Sequence, residues 1–206
     1  IAGNDTYNIA QLEYDEEIPE SYDITDVAGN DKYNFKKVTV KNKDKSKSTF
    51  DLNVQNVAIS DQAGKDKYTI TIADESDVAD DILISDDAGA DTYTIKGIRE
   101  SRVSYLTIYD NDTTGKDKYN ISWTADLEIQ DNGGNDTYTL KKTDGIVKDA
   151  AGSDKYTVDA MSNWSMSIID KGSLNDSYKV NATAKQSFVE ISDGGGTKDS
   201  LVLTGA

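Results

Sequence analysis

Aspartate is the residue of this sequence that could do chemistry, because it occurs in pairs at a repeated spacing. The chain repeats the phrase Asp-x-x-Gly-x-Asp-x-Tyr nine times with small variations, and "DNGGNDTYTL" at 131–140 is a representative copy. Two carboxylates flanking a glycine could bind a hard cation, or could act as general acid and general base. Catalysis needs acids that converge at one site, whereas these acids recur evenly along the chain, which favours cation binding.

Aligning the copies on the tyrosine sorts the candidate metal ligands into three columns. The first aspartates are Asp26, Asp61, Asp86, Asp131, Asp149, Asp170 and Asp193, and in the fifth copy either Asp110 or Asp112 could hold this position. The second aspartates are Asp5, Asp31, Asp66, Asp91, Asp117, Asp136, Asp154, Asp176 and Asp199. The turn glycines are Gly3, Gly29, Gly64, Gly89, Gly115, Gly134 and Gly152, where a positive φ would let carbonyls turn toward a cation. The last two copies are one residue longer between their aspartates, so their sites are the least regular.

The composition removes several other kinds of site. The chain has no histidine and no cysteine, which excludes imidazole catalysis, disulfides and zinc sites built from those residues. A formal net charge of −16 argues against nucleic acid as a partner, because phosphate binding needs clustered basic residues. No apolar run approaches the roughly 20 residues of a membrane span. Oxygen ligands alone select Ca²⁺ over softer metals, and Mg²⁺ is disfavoured because it prefers to keep its waters.

β-Strands must position these aspartates, because the apolar residues around each phrase alternate with period two. In "YTITI" (68–72) the tyrosine and both isoleucines share one face and the threonines take the other. The second aspartates recur at intervals of 18 to 35 residues. A minimum interval with insertions of variable length is typical of solenoid coils that carry loops on one edge. The longest interval contains the charged run 41–48, which we expect to be a surface loop.

We therefore predict an all-β fold over 1–206, a single right-handed parallel β-roll or β-helix solenoid of about nine coils. The sequence enters in the middle of a copy, so we expect it to be a fragment of a larger protein. A β-sandwich with hairpin turns is the alternative, but it does not explain why only alternate turns carry the phrase.

Stacking the coils turns each aspartate column into a ladder of like charges about 4.8 Å apart. One such pair repels by roughly 0.8 kcal/mol in water and by about 3 kcal/mol at the effective dielectric of a protein surface. Two such ladders would exceed the stability of an ordinary domain. Nine stacked turns leave eight gaps, and we expect a calcium ladder on this one edge, with several Ca²⁺ ions between successive turns.

The turns resemble the nonapeptide G-G-x-G-x-D-x-U-x of the RTX (repeats-in-toxin) family, in which U is a large apolar residue. The resemblance is carried by "GGNDTY" (133–138) and, for the second half, by "GNDKYNF", "GADTYTI" and "GSDKYTV". It implies Ca²⁺ bound by the second aspartate and turn carbonyls, and folding outside the cell after type I secretion. The U position falls on Tyr7, Tyr33, Tyr68, Tyr93, Tyr119, Tyr138, Tyr156, Tyr178 and Leu201, which we expect to stack facing the core. Two departures from the family are that only one edge carries such turns and that aspartate replaces the first glycine in most copies.

Three functions fit this sequence to different degrees. The first is a calcium-binding, non-catalytic structural module of a secreted or cell-surface bacterial protein, such as a surface-layer protein or adhesin. Its partners would be calcium and other copies or domains of the same surface protein. The second is a calcium-dependent secretion and folding tail of an exoenzyme or toxin. The third, less favoured, is a β-helix enzyme acting on polysaccharides, for which paired acids could serve as acid and base.

Overall fold

The computed structural model describes residues 3–9, 22–41, 47–50, 52–182 and 185–205, and every regular element in these ranges is a β-strand. The twenty strands are β1 (Thr6–Ile9), β2 (Tyr22–Thr25), β3 (Lys32–Phe35), β4 (Val38–Lys41), β5 (Lys47–Phe50), β6 (Asn53–Asp61), β7 (Lys67–Thr71), β8 (Val78–Asp86), β9 (Thr92–Lys96), β10 (Val103–Asp110), β11 (Lys118–Ser122), β12 (Thr124–Ala125), β13 (Leu127–Asp131), β14 (Thr137–Lys141), β15 (Gly145–Asp149), β16 (Lys155–Asp159), β17 (Ser165–Asp170), β18 (Ser177–Asn181), β19 (Phe188–Asp193) and β20 (Ser200–Thr204).

Two parallel sheets face each other, and the chain alternates between them. The tyrosine sheet has the order β1-β3-β7-β9-β11-β14-β16-β18-β20, and the aspartate sheet has the order β19-β17-β15-β13-β10-β8-β6-β2, with β12 also pairing with β10. Each passage from the aspartate sheet to the tyrosine sheet runs through one Asp/Gly turn. This arrangement confirms the predicted all-β parallel solenoid, with the acidic turns on one edge.

The core between the sheets is built from columns of equivalent side chains. Tyr7 to Tyr178 form a continuous stack, with ring centroids of neighbours 4.7 to 5.0 Å apart and interplanar angles of 0 to 6°. The column two residues further on contains Phe35, Ile70 and Ile95, which are fully buried. The alternation of tyrosine with polar residues therefore gives one buried and one solvent-facing side to each strand, as the sequence predicts.

Two features lie away from the acidic edge. Strands β4 and β5 form an antiparallel pair inside the longest interval, so the charged run at 41–48 belongs in part to a hairpin, while 42–46 fall outside the described residues. Asn56, Asp81 and Tyr105 occupy one unpaired register position and have φ values of 53°, 50° and 46°. A left-handed residue at this position bends each long strand at the same height and closes the coil.

Candidate metal centres between the stacked turns

The two sheets place the aspartate columns side by side along one edge. Each strand of the aspartate sheet from β6 onward ends on a first aspartate, and Asp61, Asp86, Asp110, Asp131, Asp149, Asp170 and Asp193 pair in register. Each second aspartate immediately precedes a strand of the tyrosine sheet. Because both sheets are parallel and in register, equivalent carboxylates repeat once per coil at the strand spacing.

From Asp26 to Asp170 the first aspartates have both oxygens engaged by the protein. In Asp131, Oδ1 accepts the backbone N–H of Gly133 at 2.9 Å, an Asx-type turn that shapes the bend. Oδ2 of the same residue accepts the hydroxyls of Tyr119 at 2.9 Å and Tyr138 at 2.7 Å. The tyrosine hydroxyls thus run as a second ladder beside the first aspartates, and each one holds a carboxylate in place.

The second aspartates have one oxygen engaged and one left over. Oδ1 of Asp91 accepts the backbone N–H of Asp66 at 2.6 Å, and the same bond repeats from Asp5 to Asp199 at 2.5 to 3.0 Å. Oδ2 is buried and has no hydrogen-bond partner in a column of eight residues: Asp5, Asp31, Asp66, Asp91, Asp117, Asp136, Asp154 and Asp176. A buried carboxylate oxygen without a partner is costly, so each of these oxygens is a candidate ligand atom for a cation.

These oxygens converge with others from the neighbouring coil. One group joins Asp66 with Asp86 and Asp91, and its carboxylate oxygens lie within 4.8 Å of one another. Five groups of this form run from Asp5 to Asp136, and the described residues contain three further acidic groups. Each of the five takes the second aspartate of one coil and both aspartates of the next.

The turn glycines leave room for a cation beside these oxygens. A Cβ on Gly64 would lie 1.8 Å from the carbonyl oxygen of Gly29 and 2.6 Å from Oδ2 of Asp66. A Cβ on Gly89 would meet the Gly64 carbonyl and Asp91 in the same way, at 2.1 and 2.6 Å. A turn carbonyl and the unpartnered carboxylate oxygen therefore face one common space, which a side chain at the glycine would fill.

The expectation that these glycines need a positive φ is only partly correct. Gly3, Gly29, Gly134 and Gly152 have φ between 145° and 158°, whereas Gly64, Gly89 and Gly115 are not in the left-handed region. The feature that the turn glycines share from Gly29 onward is the close approach of the preceding turn, so glycine is required there for space more than for backbone freedom.

The electrostatics of the edge are unfavourable without a cation. Burial, joined by repulsion from neighbouring aspartates, raises the pKa of Asp91 to about 8 and that of Asp136 to about 9. The pKa of Asp86 in the first column rises to about 9 for the same reasons. From Asp31 to Asp176, none of these carboxylates forms an ion pair with a lysine or arginine among the described residues.

Asp77 shows how this chain satisfies a buried carboxylate outside the ladder. Its Oδ1 accepts the backbone N–H of Leu52 at 2.8 Å and its Oδ2 that of Ala73 at 2.6 Å. The ammonium of Lys37 lies 3.5 Å from Oδ1. Both oxygens and the charge are compensated by protein groups here, in contrast to the second aspartates of the turns.

The strand register answers which residue of the fifth copy lies in the first-aspartate column. Asp110 lies in the column of first aspartates, paired with Asp86 and Asp131. Asp112 accepts the backbone N–H of Gly89 at 3.1 Å and that of Thr114 at 2.8 Å, so it shapes the turn beside the site. At the far end Asp199 is exposed, although it still accepts the N–H of Asp176.

Sequence reasoning missed the hydroxyl ladder that binds the first aspartates. It predicted a stack of tyrosine rings facing the core with hydroxyls reaching an edge, but not the bonds of those hydroxyls to Asp61, Asp86 and Asp110. The available signal was the spacing of seven residues between first aspartate and tyrosine in five copies (26/33, 61/68, 86/93, 131/138 and 149/156), since it places both at the same edge of a coil.

No protein-family model, curated protein or solved structure matches the chain. Fold and site therefore define its class by themselves: an all-β parallel solenoid with acidic groups, able to hold metal ions, between its stacked turns. In the described part of the chain, no helix is long and apolar enough to cross a membrane.

Proposed function

We propose that the chain is a calcium-binding, non-catalytic structural module that folds around a column of Ca²⁺ ions held between its turns. The observation that carries this proposal is the column of eight buried Oδ2 atoms without a hydrogen-bond partner. Both oxygens of Asp77 accept hydrogen bonds from the protein, whereas the Oδ2 atoms of this column accept none. The difference supports a ligand of positive charge at the column.

The donor set favours calcium among the available cations. Each gap offers three aspartate carboxylates and turn carbonyls, and so approaches the six to eight oxygens that Ca²⁺ takes at 2.3–2.6 Å. Separations of up to 4.8 Å between the ligand oxygens are compatible with such distances on opposite sides of one ion. Mg²⁺ would need a tighter octahedron, and zinc or copper would select nitrogen or sulfur ligands.

Binding and folding are coupled in this proposal. A complete site requires two stacked coils, so it does not exist in the unfolded chain, and the binding free energy becomes folding free energy. We expect apparent dissociation constants of roughly 10⁻⁴–10⁻³ M, the range of extracellular modules. At these affinities the sites fill in calcium-rich extracellular fluid and empty in cytoplasm, which supports a secreted or cell-surface location.

The distribution of the sites favours a structural role. The five groups from Asp5 to Asp136 recur from coil to coil along the ladder, whereas a catalytic pair would be a single site. The resemblance to RTX turns supports an RTX-like bacterial surface protein, such as a surface-layer protein or adhesin. The alternative is that the chain is a secretion and folding tail of an exoenzyme or toxin, which would use the same calcium sites.

Circular dichroism tests the proposal directly. We expect the strand signal and the melting temperature to fall in EGTA and to return on titration with CaCl₂, with MgCl₂ at equal ionic strength as the control. Native mass spectrometry of the calcium form should then count several bound ions. A melting temperature that ignores calcium, or that responds equally to magnesium, would overturn the calcium assignment.

A further inference from the structure

The outer face of the tyrosine sheet carries one lysine on each of seven consecutive strands. These lysines lie on β3, β7, β9, β11, β14, β16 and β18, and they are Lys32, Lys67, Lys96, Lys118, Lys141, Lys155 and Lys179. All are exposed, because they alternate with the buried tyrosines and aliphatic residues of the same strands. They form what we call the lysine face, on a chain whose formal net charge is −16.

Most other outward positions of these seven strands carry threonine, asparagine or serine. The single acid among them is Asp159, which already pairs with Lys142 at 3.1 Å. None of the seven lysines forms an ion pair with an acid in the described ranges, so their charges are presented to solvent. The calcium ladder does not use them, since its ligands lie on the turns.

The lysine face is long. Six strand spacings separate β3 from β18, which gives a length of roughly 29 Å at about 4.8 Å per strand. Near its middle, a shallow depression of about 140 Å³ lies between Lys96 and Lys141 and is lined also by Asn120, Ser122 and Thr139. The lysines lie in different columns of the sheet: Lys67 and Lys118 flank Thr92 in one column, and Lys96 and Lys141 flank Ser122 in another.

We infer that the lysine face binds a linear anionic polysaccharide. Lysine ammonium groups are compact point charges suited to carboxylate or sulfate groups repeated along a chain, and Thr, Asn and Ser suit sugar hydroxyls. Nucleic acid fits the face less well. The described residues offer no aromatic ring there for stacking bases and no arginine for bidentate phosphate contacts.

The negative net charge of the chain does not prevent this binding. At physiological ionic strength salt screens exposed charges beyond about 8 Å, so a polymer on the face interacts mainly with the lysines beside it. The inference goes beyond the proposed calcium role, and it requires only that the sheet is folded.

Dextran sulfate and unmodified dextran form a matched pair of probes for the whole 206-residue chain in calcium. We expect dextran sulfate to bind, measured by calorimetry, and dextran not to bind. A face variant changes four of the seven lysines to glutamine, at Lys67, Lys96, Lys118 and Lys141. A control variant makes the same change in net charge at four exposed lysines of the turns, at Lys65, Lys116, Lys171 and Lys198.

The face variant should lose about tenfold in affinity for dextran sulfate, the sum of four modest exposed charge contacts, and the control variant less than about twofold. Equal losses in both variants, or no binding by the parent chain, would overturn the inference. Duplex DNA or phosphatidylserine vesicles binding as tightly, with the same dependence on the lysine face, would overturn the assignment to polysaccharide. A sedimentation coefficient that changes only in the face variant would assign the face to self-association instead. Circular dichroism of every sample reports loss of the fold separately, so failure of the calcium proposal is recognised by itself.

Discussion

The substitution Asp91→Asn tests the ion ladder at its centre, because Asp91 belongs to two groups at once. It joins Asp66 and Asp86 in one gap and Asp110 and Asp117 in the next. Asparagine keeps the shape of the side chain, and its oxygen can still accept the N–H of Asp66. The substitution removes the negative charge and replaces Oδ2 with an NH₂ group, which cannot bind a cation.

The expected effect differs with and without calcium. In the metal-free fold, burial and neighbouring charges raise the pKa of Asp91 to about 8. At pH 7.5 this costs on the order of 5 kcal/mol of stability, and asparagine removes the cost. With calcium at a hundred times the dissociation constant, each ion contributes about 2.7 kcal/mol, so loss of two ions costs about 5 kcal/mol. The variant should therefore be about 5 kcal/mol more stable than the parent in EGTA and should lose this advantage in calcium.

Urea unfolding followed by circular dichroism measures this difference. Both proteins are titrated from EGTA to about a hundred times the expected dissociation constant, roughly 10–100 mM CaCl₂, with equal sucrose to keep the metal-free forms folded. The calcium dependence of the variant should be weaker by roughly a quarter, since two of eight groups are affected. The control is Asp23→Asn on the exposed side of β2, which should change the free energy of unfolding little, and by the same amount in EGTA and in calcium. If Asp91→Asn destabilises the protein in EGTA as much as in calcium, Oδ2 is not an ion ligand and the reasoning is refuted.

Three further predictions follow from the same edge. Burial raises the pKa of Asp86 and of Asp136 to about 9, above the unfolded value, so metal-free stability should be greatest at acid pH and decline as pH rises from about 4 to 9. Urea midpoints in EGTA check the sign, and stability that rises with pH would contradict it. Tyr119→Phe removes a hydroxyl 2.9 Å from two carboxylates and should cost about 1–3 kcal/mol in urea unfolding, whereas Tyr105→Phe, at a side chain 60% exposed, should change stability by less than about 0.5 kcal/mol. Gly64→Ala puts a methyl group 1.8 Å from a carbonyl of the preceding turn and should lower the melting temperature in calcium by an amount equivalent to about 1–3 kcal/mol; unchanged melting would show that the turns are not so closely stacked.

The solenoid and its ligand columns could be predicted because each copy of the phrase contains its own local instructions. Period-two alternation around Tyr68 specifies a strand with one buried side, and repetition aligns Tyr68 with Tyr93 and Asp66 with Asp91. Irregular intervals did not obscure this register, since the insertions lie in the return segments.

Other features could not be predicted, because they depend on what stacking brings together. Tyr105 has a positive φ at the same unpaired register position as Asp81, and a bulky residue with positive φ has no sequence signal of its own. The lysine face was equally hidden. Lys67 precedes a tyrosine and Lys96 follows one by three residues, so the two share a side only once their strands pair.

The sequence by itself determined that this chain has acidic turns in register on one edge, because the phrase recurs with its apolar neighbours at fixed positions. Only the tertiary structure decided which oxygen of each second aspartate is satisfied and which is left for an ion. That choice depends on the N–H of an aspartate 18 to 35 residues away, which reaches Oδ1 only when the coils stack. The same stacking brings three carboxylates within 4.8 Å, a distance that no single copy contains.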